Sequence, residues 1–268
     1  MPPETPHTTP AIPVTVLVSL GLHPRSGRPR RASQDARALE LTLREATCEP
    51  TVVHAGRLDE ETEPALRKYL GMGVPGLTLL QQTDDADAVP ALLEHLRARP
   101  PCMVVTGMHA ERGEGSGLLP YLLAECMGWP LVTGVAVLES VTAESLTVLQ
   151  ALPRGQRRRL RVRLPCVVTV DEAAPSPRQS AFGPARRGTF DVIEVTSKPD
   201  TMHASIETTP ARKRPKRLKM IRAASARDRF KAAAAKAEGT GGRILTDVSP
   251  AQGADAILEL LRDEGVLR

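Results

Sequence analysis

The sequence predicts an α/β domain built on a mostly parallel, Rossmann-like sheet with flanking helices. Two observations predict it. Short, β-branched apolar runs alternate with helix-length amphipathic segments from residue 13 onward. A glycine-rich loop with Gly107, Gly113, Gly115 and Gly117 follows one such run and opens directly onto an apolar helix.

Residues 13–20, PVTVLVSL, are apolar, β-branched and bounded by Pro and Gly, which predicts a buried strand. A Pro/Gly/Arg loop is expected over 21–32. Residues 33–46 predict a helix, with Ser33 as N-cap and Ala36, Leu39, Leu43 and Ala46 as one apolar stripe. Strands at 51–56, 76–82 and 101–107 alternate with helices at 60–73 and 86–99. The helix after the glycine-rich loop stops at Gly128-Trp129-Pro130. Beyond it, runs at 131–140, 145–152, 158–165 and 165–172 leave little room for helices and predict a meander continuing or flanking the parallel sheet. Residues 175–195 read as loop, short helix and strand.

The expected organisation has three parts: a flexible N-terminal extension (1–12), the α/β domain (13–195), and a C-terminal arm with terminal helices (196–268) that packs on a partner. Residues 249–265 predict a terminal helix with Ser249 as N-cap, Pro250 at its first position and Gly265 as its stop.

Right-handed crossovers place the loops after the strands along one edge, where ligands of such sheets bind. Ser19, Ala55 and Gly107 begin those loops. The glycine-rich loop matches neither G-x-G-x-x-G nor the P-loop pattern. It reads as a phosphate cradle or as a tight strand–helix connection. His109, Glu111 and Glu114 in the same loop offer acid/base chemistry or are solvated, and no nucleophile–base set assembles around them. Trp129 reads as packing at a helix end rather than as a flavin-stacking group.

Composition excludes several classes. No run of 18 apolar residues exists, so no membrane insertion is expected, and the first residues lack the pattern of a signal peptide. Four cysteines without a C-x-x-C pair predict reduced, buried thiols in a cytoplasmic protein. Six scattered histidines predict no metal site. The net charge of +5 has one source: residues 211–222 carry seven basic side chains and no acid, so the rest of the chain is net −2. Pro210 and Pro215 interrupt that run, and aromatic content is only 2%, so a protein partner is favoured over nucleic acid or a solvated arm.

Four segments together resemble the β subunit of electron-transfer flavoproteins. They are DARALELTLRE (35–45), ALRKYLGMGVPGLTLL (65–80), GMHAERGEGSGLLPYLLAECMGWPLVT (107–133) and RLPCVVTVDEAAPSPRQSAF (163–182). The resemblance spans roughly residues 13–195. It implies an adenine-nucleotide hydrolase-like fold and a heterodimer with an α subunit that holds most of the FAD. It implies a second nucleotide on this chain, AMP or, in bifurcating members, FAD. It implies electrons arriving from a flavoprotein dehydrogenase and leaving to a quinone reductase or another acceptor, with no catalytic residues on this chain.

Carried over by position, the second nucleotide is expected to touch Ser19, Leu20 and Gly21 after the first strand, then Ala32, Ser33 and Asp35, and Ala55 after the second strand. It is further expected at Gly107, Arg112, Gly113, Glu114 and Gly115, and at Ser116, Gly117, Leu118 and Leu119. The chain departs from the family pattern at four places. Gly21 replaces a lysine, Ala32-Ser33 an Asn-Pro pair, Arg112 an aspartate and Leu119 a glycine. Arg112 adds positive charge beside a phosphate or fills the vacated space. AMP is the expected occupant, and the departures favour a non-bifurcating member. Two alternatives stay open: a standalone adenine-nucleotide-binding α/β enzyme, and a nucleic-acid binder using the basic run.

The basic run falls where the family docks its dehydrogenase. Arg212, Lys213, Arg214, Lys216 and Arg217 are expected to clamp an acidic groove on the α subunit or on the dehydrogenase. Reversing Arg212, Lys213 and Arg214 to glutamate is expected to weaken that complex in a salt-dependent way. Affinity unchanged at low salt would exclude the clamp.

Overall fold

Side chains buried on both faces put strand β1 (Ile12–Leu17) at the centre of the sheet. Val14 and Val16 face one apolar cluster, while Leu17 faces the other. The computed structural model describes residues 11–113, 115–207, 209, 225, 227 and 245–263. The basic run 211–222, Glu114, Gly265 and residues 1–10 of the expected extension lie outside the described residues.

The chain divides into two compact units, 1–206 and 207–268. The first contains a nine-stranded sheet. Its strands in chain order are β1, β4 (Cys48–Gly56), β5 (Gly76–Gln81), β6 (Met103–Gly107), β7 (Leu131–Val141), β8 (Ser145–Ala151), β9 (Arg157–Arg163), β10 (Cys166–Val170) and β11 (Thr189–Glu194). In space they run β11-β5-β4-β1-β6-β10-β7-β8-β9. All neighbours from β11 to β7 are parallel, and β8 and β9 are added antiparallel.

Helices α1 (Ser33–Leu43) and α2 (Glu63–Leu70) cover one face through Ala36, Leu39, Leu66 and Tyr69. Helices α3 (Ala88–Ala98) and α4 (Leu119–Met127) cover the other through Leu92, Leu96, Leu123 and Ala124. The expected α/β architecture, with a parallel sheet covered on both faces, is therefore present. Trp129 packs against the α3/α4 side, as expected of a helix-end packing residue.

Several elements differ from expectation. The first strand stops at Leu17, because the next free N–H, that of Ser19, donates to the Asp35 carboxylate at 2.7 Å instead of to a ladder. The expected loop 21–32 instead contains a short antiparallel ribbon, β2 (Leu20–Leu22) paired with β3 (Pro29–Arg31). Ser33 is not the N-cap of α1. Ala32 holds that position, and the Ser33 N–H donates to Glu111 Oε1 at 2.7 Å. The meander is real for β7, β8 and β9, but β10 leaves it and inserts between β6 and β7. The reason is compositional: CVVTV is buried at every position, which only a central strand permits. Among the cysteines only Cys166 is buried, and Cys126 is exposed on α4, so uniform thiol burial does not hold.

The connection from β10 to β11 runs along α1 and the C-terminal end of α2. Arg178 anchors it by donating from Nε at 2.7 Å and from its backbone N–H at 3.0 Å to Glu40 Oε2. Arg67 donates to the carbonyls of Ala185 and Gly188, and its guanidinium lies 5.0 Å from the Phe190 ring centroid. A Cβ at Gly71 would stand 2.9 Å from the Ala181 carbonyl oxygen, so glycine lets the connection pass this close. The connection leads on through β11 to a strap, residues 198–204. That strap was expected to begin the extended arm, yet it is tied to the turn after β5. Asp87 N–H donates to Lys198 O and Asp200 N–H to Asp85 O, each at 2.8 Å.

In the second unit the terminal helix, Pro250–Asp263, starts with a capping box. Gln252 N–H donates to Ser249 Oγ at 3.3 Å, and Ser249 N–H donates back to Gln252 Oε1 at 2.9 Å. Among the described residues, no helix is long and apolar enough to cross a membrane.

Burial alone would push the Glu40 carboxyl up, but the bonds from Arg178 and Arg44 outweigh it and hold it down to about 2. A carboxyl depressed in the folded state adds stability above its unfolded value of 4.5 and loses it as pH falls toward 2. Arg178→Ala is expected to lower the unfolding free energy by about 1–3 kcal/mol at neutral pH. It should also flatten the stability loss between those two pH values, as denaturant titrations across the range would read.

Candidate functional site

The carboxyl ends of β1, β4, β5 and β6 open onto one cavity of about 590 Å³ in the first unit. The loop after β6, the start of α4 and the strap, Pro199 to His203, all contribute to its lining. The cavity brings together Ser19, Leu20, Asp35, Ala55, Gly107, Arg112 and Gly113, together with Gly115, Ser116, Gly117, Leu118 and Leu119. Gly21, Ala32 and Ser33 are not among the lining residues, and Glu114 is outside the described residues.

Asp35 organises the edge. It is 5% exposed and sits in the first turn of α1. Its Oδ2 accepts from the Ser19 N–H at 2.7 Å and the Ser19 hydroxyl at 2.5 Å, and its Oδ1 from the Gly107 N–H at 3.1 Å. Burial pushes this carboxyl up, while the Ser19 and Gly107 donors pull it back. Gln34 extends the same clasp by accepting from the Met108 N–H at 2.8 Å. Tyr69, fully buried, donates to Ser19 O at 2.8 Å and accepts from Ala32 N–H at 3.0 Å, which ties α2 to both turns.

Glu111 is more than a solvated loop residue. It accepts from Arg30 Nη2 at 2.6 Å and from the Ser33 N–H, so it caps α1 from across the edge. Gly21 leaves room for it, since a Cβ at position 21 would collide with the Glu111 carboxylate. His109 lines the cavity.

The loop is shaped by positive φ at Gly113, Gly115 and Gly117. Gly117 has the tightest requirement: with φ at +71°, a Cβ would stand 2.6 Å from Met108 O. Helix α4 then begins without a side-chain cap, and Pro120 occupies its first turn. Such an end offers backbone N–H groups and the positive end of a dipole to an anion. Arg112 adds a cation to the cavity lining.

Some lining residues were not singled out from sequence. His54 lies beside Ala55 on β4, and its ring is 6% exposed. The sequence points instead to its neighbour Ala55, and strand alternation puts adjacent side chains on opposite faces. Arg57, the turn 82–89 and the strap reach the cavity through long-range packing, for which no local sequence signal exists.

Fold and cavity define the class: an open, mostly parallel α/β sheet with a ligand-sized cavity at its carboxyl edge. A family model described as the electron transfer flavoprotein domain matches residues 25–199. The electron transfer flavoprotein subunit beta of Chromohalobacter salexigens is 62% identical over 268 residues, covering 100% of both chains. YgcR of Escherichia coli, provisionally described as an electron transfer flavoprotein subunit, is 31% identical over 144 residues, 51% of this chain and 54% of its own. The chain belongs to the electron-transfer flavoprotein family, as a β subunit. Membership makes it an electron-transfer protein of a flavin-containing assembly and implies an α-subunit partner.

Asp35→Ala would leave the buried N–H groups of Ser19 and Gly107 without their acceptor. The unfolding free energy is expected to fall by about 2–6 kcal/mol, at roughly 1–3 kcal/mol for each of the two stranded donors. A loss below about 1 kcal/mol in urea titrations would mean that the edge holds without this carboxylate.

Proposed function

We propose that this chain, paired with its α subunit, passes electrons from a flavoprotein dehydrogenase to a quinone reductase or another acceptor in the cytoplasm. The α subunit holds most of the FAD, and the β chain holds AMP in the cavity at the sheet's carboxyl edge. The flavin supplies the electron chemistry. The chain's own residues shape and close the site, so no catalytic side chain is assigned to it. In this reading Arg212, Lys213, Arg214, Lys216 and Arg217 grip an acidic groove on the α subunit or on the dehydrogenase.

The observation that carries the reading is the cavity itself, with its mixed lining. It includes the glycine loop and the uncapped start of α4, which suit a phosphate. The same lining includes the apolar side chains of Leu17 and Val53, which suit a flat base. The residues fit an adenine mononucleotide in a further respect. A side chain at Gly117 would fill the loop's inner turn, so the cradle requires glycine where it stands. Gly113, Gly115, Ser116, Gly117, Leu118 and Leu119 would hold the phosphate, with Arg112 as its cation. Ser19, Leu20 and Ala55 would border the base, and Asp35 with Gly107 would hold the edge in shape. Gly21, Ala32 and Ser33, outside the lining, would support it. Arg112 and Leu119 favour a single redox flavin and a non-bifurcating complex.

Co-expression with the α subunit, size exclusion and nucleotide extraction tests this. The expected result is a yellow heterodimer that releases one FAD and one AMP. Two FADs would indicate bifurcation, and FAD alone would remove AMP from the cavity. A colourless monomer that turns over ATP would overturn the electron-transfer role.

A further inference from the structure

The antiparallel half of the sheet keeps one face outside both apolar clusters of the first unit. On β8, Leu146 and Val148 enter the cluster shared with α1 and α2, and on β9 Leu160 and Val162 pack against it. Alternation turns Ser145, Thr147, Leu149 and Ala151 of β8 to the opposite face. Cross-strand pairing sets Val137 of β7 and Arg159 of β9 on either side of Leu149. It also sets Arg157 beside Ala151, Arg161 beside Thr147 and Arg163 beside Ser145. Val137 is 39% exposed, Leu149 is partly buried, and neither belongs to a cluster. The cluster under α3 and α4 takes in Leu131 of β7 and no residue of β8 or β9.

The rim of this face is cationic. Arg157, Arg159, Arg161 and Arg163 are all exposed. Residues 131–165 carry six arginines against two glutamates, net +4, while the chain outside this segment and the run 211–222 is net −6. Guarding an edge strand accounts for charge on β9, but not for the apolar floor beside it. Arg159 shows what such a row binds. Its Nε and Nη2 donate to Glu139 Oε2 at 2.6 Å and Oε1 at 2.9 Å, a two-pronged grip on a carboxylate. Among the described residues, no carboxylate pairs with Arg157, Arg161 or Arg163. Successive arginines of the row stand about 7 Å apart along the strand. Nucleic acid would match their charge, but this face offers it no aromatic side chain and would leave Val137 and Leu149 without apolar contact.

Family membership implies one protein partner for this chain, the α subunit. Resting on that heterodimer, we propose that the β7–β8–β9 face is a docking surface for the α subunit. Val137, Thr147 and Leu149 form its centre. Arg157, Arg161 and Arg163 take carboxylates of the α subunit, spaced to match the row, as Arg159 takes Glu139. An apolar centre with arginines around it is the usual anatomy of a protein interface. No residue of β7, β8 or β9 lines the cavity, so docking here is separate from nucleotide binding. It is also separate from the clamp proposed for the run 211–222, which stays intact in the test.

In the test, the unaltered full-length chain and its triple variant Arg157→Glu, Arg161→Glu, Arg163→Glu are co-expressed in equal amounts with a limiting, tagged α subunit. Intact mass spectrometry reads the ratio captured. The unaltered chain is expected in at least about tenfold excess, because like charges then face each other across the interface. A second variant, Arg157→Lys, Arg161→Lys, Arg163→Lys, keeps the charge and supplies amines for zero-length carbodiimide cross-linking in the purified heterodimer. Cross-links from the substituted positions to α-subunit carboxylates are expected, and they decide the matter even where the glutamate variant fails to fold.

Equal capture of the unaltered chain and the glutamate variant would overturn the inference and leave the heterodimer standing. So would cross-links confined to this chain's own carboxylates, or no cross-link at all. Equal capture together with a loss of duplex DNA binding in the glutamate variant would assign the row to nucleic acid instead. Failure of the α subunit to capture even the unaltered chain would overturn the heterodimer and the inference together.

Discussion

A carboxylate shut away from water governs the ligand edge of this sheet. Asp35 takes three donors from Ser19 and Gly107 while riding on the first turn of α1. An isolated buried charge is strongly disfavoured. Here backbone and hydroxyl donors, with the positive end of a helix dipole, stand in for a cation. Two of those donors are main-chain N–H groups, so they also decide where the chain leaves β1 and β6. One side chain thereby positions the two turns that face the cavity.

The rest of the α1 surface follows from the same constraint. A helix that buries Gln34, Asp35, Glu40 and Thr42 beside its apolar residues cannot be held by hydrophobic contact alone. Each polar group needs a dedicated partner, and the partners come from far away in sequence: Met108 for Gln34, Arg178 for Glu40, Ser19 and Gly107 for Asp35. Thr42 is the local case, donating back to Ala38 O at 3.0 Å. The long connection to β11 is therefore not a passive link. Arg178 holds it against α1, and its far end places β11 beside β5 and returns the strap to the cavity lining.

The parallel architecture was legible because its signal is local. Strand-length apolar runs and helix-length stripes recur along residues 13–128, and burial on both faces leaves little else for them to form. The cavity edge was legible for the same reason: topology alone places Ser19, Ala55 and Gly107 together. Failures came where a distant polar partner overrode a local preference. Ser33 has the chemistry of an N-cap, but Glu111 reaches the first N–H from another loop. Residues 18–20 have strand propensity, yet the Ser19 N–H goes to Asp35. The place of β10 was recoverable in principle. CVVTV lacks the alternation of RRRLRVR in β9, and that difference separates a central strand from an edge strand.

The two ends of the sheet then serve opposite needs. At β9 an exposed edge strand carries arginines at 157, 158, 159, 161 and 163, which discourage further strand pairing and bind back onto the meander through Glu139 and Gln150. At the carboxyl edge of the parallel half, the chain instead leaves groups available: an uncapped helix start and a glycine loop. Their walls come from residues as far apart as Leu17 and His203, so the cavity exists only when the whole first unit is folded. A ligand that fits it must therefore bind the folded state alone, and by mass action it stabilises the entire unit rather than one loop. In a protein whose redox chemistry belongs to a flavin, a mononucleotide in this cavity would act as a structural clasp. It would satisfy the polar groups that Asp35 brings to the edge but cannot itself reach.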